Sequence, residues 1–263
     1  MITDKRQMVI VSGARRGIGK SFFDYYNSKP NTDCTGISRT SDCGYLHLDL
    51  LNELAVNTTV ASLDIDGIEK ILFIHAVGID KFEPKGVPHI DYDGDGIDDE
   101  VYNSNVTTFL NLATPLIEKT NRLKILMTIC NIGSISDVYM VPFWQSFSRA
   151  KNIMRQYVKS INNPLVRGIF LNVGSTFDES DINKSGRIKA DTTYWQTSKE
   201  LVQKSAPCID EVMNGHAMFA EFDFYKHNPH FRPDYFTNLP NLYFIWQRDM
   251  GFEGKEVPHV IRI

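Results

Sequence analysis

Several function classes are excluded by what this sequence lacks. Its four cysteines, Cys34, Cys43, Cys130 and Cys208, show no CxxC spacing and are too sparse for a disulfide-built scaffold. No apolar run of the kind that opens a signal peptide stands at its start, and none approaches the roughly 20 residues a membrane helix requires. The expectation is a reduced, soluble, cytoplasmic protein. There is no basic block, and the net charge is -4, which leaves no electrostatic footprint for nucleic acid or an anionic membrane surface. The expected partner is a small molecule. Internal repeats and low-complexity linkers are also missing, and 263 residues with 42% hydrophobic content can bury one substantial core.

What is present alternates. Apolar runs of strand length are separated by helix-length segments, the pattern of βαβ units on a parallel sheet. Strands are expected over 7–13, 34–38, 45–50, 70–78, 123–134 and 166–174, and helices over 17–28, 101–119 and 147–161. The fold class is therefore α/β: a doubly wound, Rossmann-like parallel sheet in three layers, α/β/α. After Gly174 the pattern weakens. Residues 218–246 are crowded with Phe, Tyr and Trp, which reads either as core and subunit contact or as an aromatic wall over a substrate pocket.

The segment SGARRGIGK follows the first strand and opens the first helix. In that context Gly13 permits a tight turn, Gly17 lets backbone approach a phosphate, and Gly19 lets helix and strand pack closely. Unpaired N–H groups at the helix start then face an anion. Arg15 and Arg16 lie inside the loop, and Arg39 follows the second strand, where an adenosine ribose would lie. An acid there would accept from a ribose 2'-hydroxyl, whereas arginine supports a 2'-phosphate, so NADP is favoured over NAD. A purely structural turn and ordinary surface arginines remain the alternatives.

From these residues onward the chain resembles the classical short-chain dehydrogenase/reductase family, over about residues 8–176. SGARRGIG (12–19) is similar to the family's TGxxxGIG turn, which implies cofactor contacts from Gly13, Arg15, Arg16, Gly17, Ile18 and Gly19. LDL (48–50) resembles its adenine-contacting acidic position and implies Asp49 and Leu50. HAVG (75–78) stands where the family has NNAG and keeps only the last glycine, implying His75 and Gly78. Asn105 matches the family's helix asparagine, Ser134 its catalytic serine, and Lys151 the lysine of YxxxK. NVGST (172–176) resembles the PG motif beside the nicotinamide, with Val173 in place of proline, and implies Gly174 and Thr176. Ser134 lies thirteen residues before Phe147, and Phe147 four before Lys151, intervals that fit the family's serine, tyrosine and lysine. The resemblance implies NADP as cofactor and interconversion of a carbonyl compound and an alcohol. It further implies a homodimer or homotetramer paired through helices 101–119 and 147–161, and one domain over 1–263 in which 177–263 builds the substrate pocket.

The implied chemistry has one gap. Hydride delivery to a carbonyl leaves negative charge on oxygen, which must be stabilised and then protonated. Ser134 would hydrogen-bond that oxygen. Lys151 would hold the nicotinamide ribose and lower the pKa of a neighbouring phenol, and Asn105 would anchor a proton-resupplying water chain. Phe147 stands where the phenol belongs. It keeps the ring volume and deletes the hydroxyl, so the implied catalytic set Asn105, Ser134, Phe147 and Lys151 lacks its general acid, a loss of about 10²- to 10⁴-fold in rate. Tyr139 and Ser148 are offset from that position. Phe147 fits either an exchange introduced to trap a bound substrate or a natural residue in a catalytically silent NADP-binding regulatory or scaffold protein. Lyase or epimerase chemistry on the same scaffold is a third reading.

The acidic loop DYDGDGIDDE (91–100) begins like a DxDxDG calcium loop, but position twelve is Tyr102 where an EF-hand has glutamate. It reads as a solvated acidic turn leading into the next helix, whose start favours carboxylates, and no metal is expected. His216, His227, His230 and His259 lack ligand spacing.

Overall fold

The apolar runs fold as strands buried on both faces, as a parallel sheet covered by helices requires. The computed structural model describes residues 6–40, 44–81, 83, 90–138, 144–177, 192–193 and 195–226. In chain order the main elements are β1 (Gln7–Ser12), α1 (Gly17–Asn27), β2 (Thr32–Ser38), β3 (Leu46–His47), α2 (Glu53–Ser62) and β4 (Lys70–His75). There follow α3 (Asp99–Tyr102), a π turn (Asn103–Thr107), α4 (Thr108–Leu123), β5 (Leu126–Ile132), a 3-10 turn (Ile135–Val138), α5 (Gln145–Ser160) and β6 (Val166–Val173). Last come β7 (Thr176–Phe177), β8 (Gln196–Thr197), α6 (Ser198–Asn214) and β9 (Phe219–Phe224).

Seven strands form one sheet in the order β3-β2-β1-β4-β5-β6-β9, and each neighbouring pair is parallel. The order reverses between β1 and β4, which leaves a crevice at their carboxyl ends, the place where open α/β sheets bind ligands. Met8, Ile10, Ile71, Phe73, Met127, Ile129 and Phe170 fill one face together with Val56, Phe109, Leu112 and Met154 from α2, α4 and α5. Val9, Val11, Leu72, Ile74, Ile169 and Leu171 fill the other with Phe22, Leu201 and Ile209 from α1 and α6. Burial of each such side chain contributes about 1.5–3 kcal/mol. The expected doubly wound, three-layered α/β fold is the one observed. Among the described residues no helix is long and apolar enough to cross a membrane.

Three local differences from expectation have physical causes. The expected strand over 45–50 pairs only at Leu46 and His47, because Asp49 turns the chain away. Its Oδ1 accepts from Leu51 N at 3.0 Å, and its carbonyl accepts from Asn52 N at 3.1 Å. The expected helix 101–119 is interrupted by the π turn and runs on to Leu123, where Lys124 takes a left-handed φ of 58° and closes it. Part of the aromatic stretch, Phe219–Phe224, is an edge strand paired to β6. The rest, from His227, lies outside the described residues.

Candidate functional site

The glycine turn is shaped by what its glycines leave out. Gly13 has φ +73°, and a Cβ there would stand 2.8 Å from the Ala76 carbonyl oxygen. A Cβ on Gly19 would collide with the Gly13 carbonyl. The turn is fastened by Gly13 N and Ala14 N, which both donate to Ile37 O at 3.0 and 3.2 Å. Helix α1 starts with Arg16 as its cap residue, with no side-chain cap and no acid in its first turn. Its leading N–H groups therefore face the crevice without a carboxylate or hydroxyl of their own. Ile18 is half-buried, and Arg15, Arg16 and Arg39 are exposed around the same crevice. Asp49 is exposed, while Leu50 is buried with its carbonyl taken by Asn111 Nδ2 at 2.9 Å.

At the end of β4, His75 is buried, with Nδ1 2.9 Å from Ser12 Oγ. Burial first, and the Lys151 charge second, hold its pKa down to about 3, so the imidazole is neutral. Among the described residues its Nε2 has no hydrogen-bond partner. Gly78 is open to the crevice, and a side chain there would strike Asn105 Oδ1 and approach Lys151 Nζ to 3.4 Å. Asn105 lies within the π turn, the type of helix irregularity that often marks functional positions. Its Nδ2 donates to Ile79 O and Val101 O at 3.0 Å each, while its buried Oδ1 has no hydrogen-bond partner among the described residues.

Ser134 follows β5, with its Oγ 2.8 Å from Ser136 Oγ. On α5, Phe147 is half-buried and Lys151 buried. Lys151 Nζ stands 5.4 Å from the Phe147 ring centre and donates to Ile132 O at 2.9 Å. Burial pushes the ammonium down to about 8, with Asp137 and then Asp80 acting upward. The structure thus brings Gly78, Asn105 and Lys151 together, with Phe147 beside the lysine. Ser148 is fully buried, and Tyr139 lies outside the described residues.

Two residues expected beside the cofactor also have structural duties. Gly174 gives N–H to Phe224 O at 2.9 Å, and a Cβ on it would stand 2.6 Å from Tyr225 Cβ, so its missing side chain makes room for β9. Thr176 pairs with Gln196 in the two-stranded β7–β8 ladder. In the acidic loop, Asp98 is buried, caps α3 through Glu100 N at 3.1 Å and pairs with Lys81 at 2.7 Å. Oxygens of Asp91, Asp93 and Asp99 come within 4.8 Å of one another, close enough to share a cation. His216 is exposed, and His227, His230 and His259 lie outside the described residues.

Sequence reasoning missed the polar residues beside Ser134 and Lys151: Asp137, Arg155, Asn172 and Glu221. One signal was legible. Arg155 continues the row begun by Phe147 and Lys151 at four-residue steps along one helix face.

No family model matches the sequence, and no curated protein matches it. Solved structures do. A 4-hydroxyisoleucine dehydrogenase complexed with NADH superposes with a TM-score of 0.65 at 18% identity, covering 86% of this chain and 100% of the other. The 3-oxoacyl-[acyl-carrier protein] reductase of Brucella melitensis, in complex with NAD, gives 0.66 at 15% identity over 84% of this chain and 96% of the other. A short chain dehydrogenase of Burkholderia cenocepacia, in complex with NADP, gives 0.62 at 18% identity over 82% and 88%. At such identities the likeness is one of architecture: this chain has the fold of the short-chain dehydrogenases.

Proposed function

We propose that the chain binds NADP(H) across the carboxyl ends of β1, β2 and β4, and that its parent chemistry interconverts a carbonyl compound and an alcohol. The observation that carries this reading is the pairing of two constellations on one sheet edge. The side-chain-free Gly13 turn faces the uncapped start of α1, and Asn105, Gly78 and Lys151 converge beside Phe147. Solved proteins of this fold holding NADH, NAD or NADP support it. Arg15 and Arg39, exposed at the crevice, favour the 2'-phosphate of NADP.

The residues fit the dinucleotide. Gly13, Gly17 and the α1 N–H groups would hold its phosphates, Arg39 its 2'-phosphate, and Lys151 its nicotinamide ribose. When bound, the nicotinamide supplies or accepts the hydride. Ser134 Oγ exchanges its contact with Ser136 for a donated hydrogen bond to the carbonyl oxygen, stabilising the charge that develops there. Lys151 presents a charged Nζ below about pH 8. Phe147 offers carbon where a proton donor would stand, so turnover in this chain is about 10²- to 10⁴-fold below that of a tyrosine form. The missing hydroxyl favours a second reading, a catalytically silent NADP-binding protein with regulatory or scaffold duty.

We place the chain as one domain over 1–263, with 177–263 shaping the pocket, and as a cytoplasmic homodimer or homotetramer paired through α4 and α5. Calorimetric titration with NADPH and NADH tests the cofactor reading. Binding of NADPH in preference to NADH is expected, and no heat with either at millimolar concentration overturns it.

A further inference from the structure

A buried polar network lies against the candidate site without belonging to it. Asp137, three residues after Ser134 in the 3-10 turn, is 0% exposed, and its N–H donates to Ser134 O at 3.1 Å. Its backbone carbonyl accepts from Asn152 Nδ2 at 3.1 Å. Arg155 Nη2 donates to its Oδ1 at 2.9 Å, and Arg155 Nε lies 2.6 Å from Oδ2 as an ion pair with its N–H off the line. On α5, Asn152 follows Lys151 directly and Arg155 lies one turn beyond it. The same Nη2 reaches Asn172 Oδ1 on β6 and Glu221 Oε1 on β9, each at 2.9 Å. Asn172 Nδ2 in turn donates to Glu221 Oε1 and Asp223 Oδ1 at 2.7 Å each.

Charge accounting gives this network a second role. Two carboxylates, Asp137 and Glu221, meet one guanidinium, and a third, Asp223, joins them through Asn172. Among the described residues the nearby Lys151 makes no ion pair, and its Nζ donates to the Ile132 carbonyl. A buried ammonium of that kind depends on charges acting through space. His75 on β4 is neutral, and Asp80 after β4 is the weaker of the two acids that act on Lys151.

We propose that Asp137, clamped by Arg155, is a positioning residue of this site: it fastens the Ser134 turn to α5 and supplies the buried negative charge that keeps Lys151 protonated. Burial, reinforced by Glu221 and opposed by Arg155, raises the Asp137 carboxyl to about 6. Acidification below that value therefore withdraws the charge from Lys151. The proposal deepens the NADP reading, and only its cofactor arm rests on that reading.

The test is a pH titration of the cofactor-free chain labelled with 13Cε-lysine, followed by NMR, with the Lys151 resonance assigned by Lys151→Met. The parent is expected to titrate near pH 8, and Asp137→Asn about one pH unit lower. An unmoved midpoint overturns the proposal. Glu221→Gln, at a side chain 32% exposed on the edge strand, keeps the test open should Asp137→Asn fail to fold. It is expected to move the acid-side inflection of the same resonance, where Asp137 protonates, to lower pH; an inflection that stays in place overturns the proposal. In the second arm, NADPH affinity above pH 8 is expected to be about tenfold weaker in Asp137→Asn than in the parent. If the lysine midpoint moves but neither form binds NADPH, the cofactor reading fails and the role of Asp137 stands. If NADPH binds with the same pH profile in both, the positioning role fails.

Discussion

Lys151 Nζ stands 5.4 Å from the centre of the Phe147 ring, held over it by the four-residue step of α5. On the proposed reading this cation would activate a phenol, and the position carries phenylalanine.

Phe147→Tyr would supply the phenol hydroxyl with little change in volume. NADPH oxidation with some member of a carbonyl panel is expected to rise about 10²- to 10⁴-fold, with NADPH affinity unchanged. Steady-state absorbance assays on the parent and the variant measure it. A tyrosine form that binds NADPH and stays inert across the panel favours the silent reading.

Arg39 is exposed after β2, and on the proposed reading it meets a phosphate. Arg39→Ala is expected to weaken NADPH binding by about 1.5–3 kcal/mol, the range for a hydrogen bond to a charged group, and to leave NADH binding unchanged. Parallel calorimetric titrations decide the point, since an equal loss for both cofactors would mean Arg39 does not read the 2'-phosphate.

The Lys151 ammonium, ordinarily at 10.5, is held down to about 8 by burial. Between those values the unfolded chain binds more protons than the folded one, so this residue makes stability rise with pH from about 8 to 10.5. Below 8 the folded state carries the whole cost of the buried charge, about 3 kcal/mol. Lys151→Met is therefore expected to raise Tm at pH 7 while weakening NADPH binding. Scanning calorimetry at two pH values checks the sign, and a lower Tm at pH 7 would count against it.

Lys119 is a buried cation with a different duty. From α4 its Nζ donates to the carbonyls of Val60, Ala61 and Leu63 at 2.8, 2.9 and 2.6 Å, closing the end of α2. Lys119→Met takes its ammonium from all three carbonyls, leaving Val60 O the Leu63 N–H at 3.3 Å, and is expected to cost about 2–3 kcal/mol. Urea unfolding measures the loss, and cofactor binding should be spared.

Legibility followed locality. Strands β1, β4, β5 and β6 were readable because burial on both faces leaves unbroken apolar runs. Helix α2 was not, because its threonines and valines are poor helix formers and its apolar residues follow no single face; Asn52, capping it through Ala55 N at 3.1 Å, is its main local mark. Helix α6 carried a signal that went unread, the capping box in which Thr197 and Glu200 satisfy each other's backbone. The duty of Gly174 could not be seen from its own motif, because the group that needs the space, Tyr225, arrives with β9.

Short-range pattern alone determined the alternation of strand and helix, the glycine turn ahead of α1, and the step from Phe147 to Lys151, since each depends on residues close together in the chain. Only the tertiary structure decided that Asn105 sits in a π turn facing Gly78, and that Asp137, Arg155, Asn172 and Glu221 meet. The reason is strand register. Residues from the end of β5, from α5, from β6 and from an edge strand reach one point only after the parallel sheet has set their heights, and no spacing along the chain encodes that coincidence.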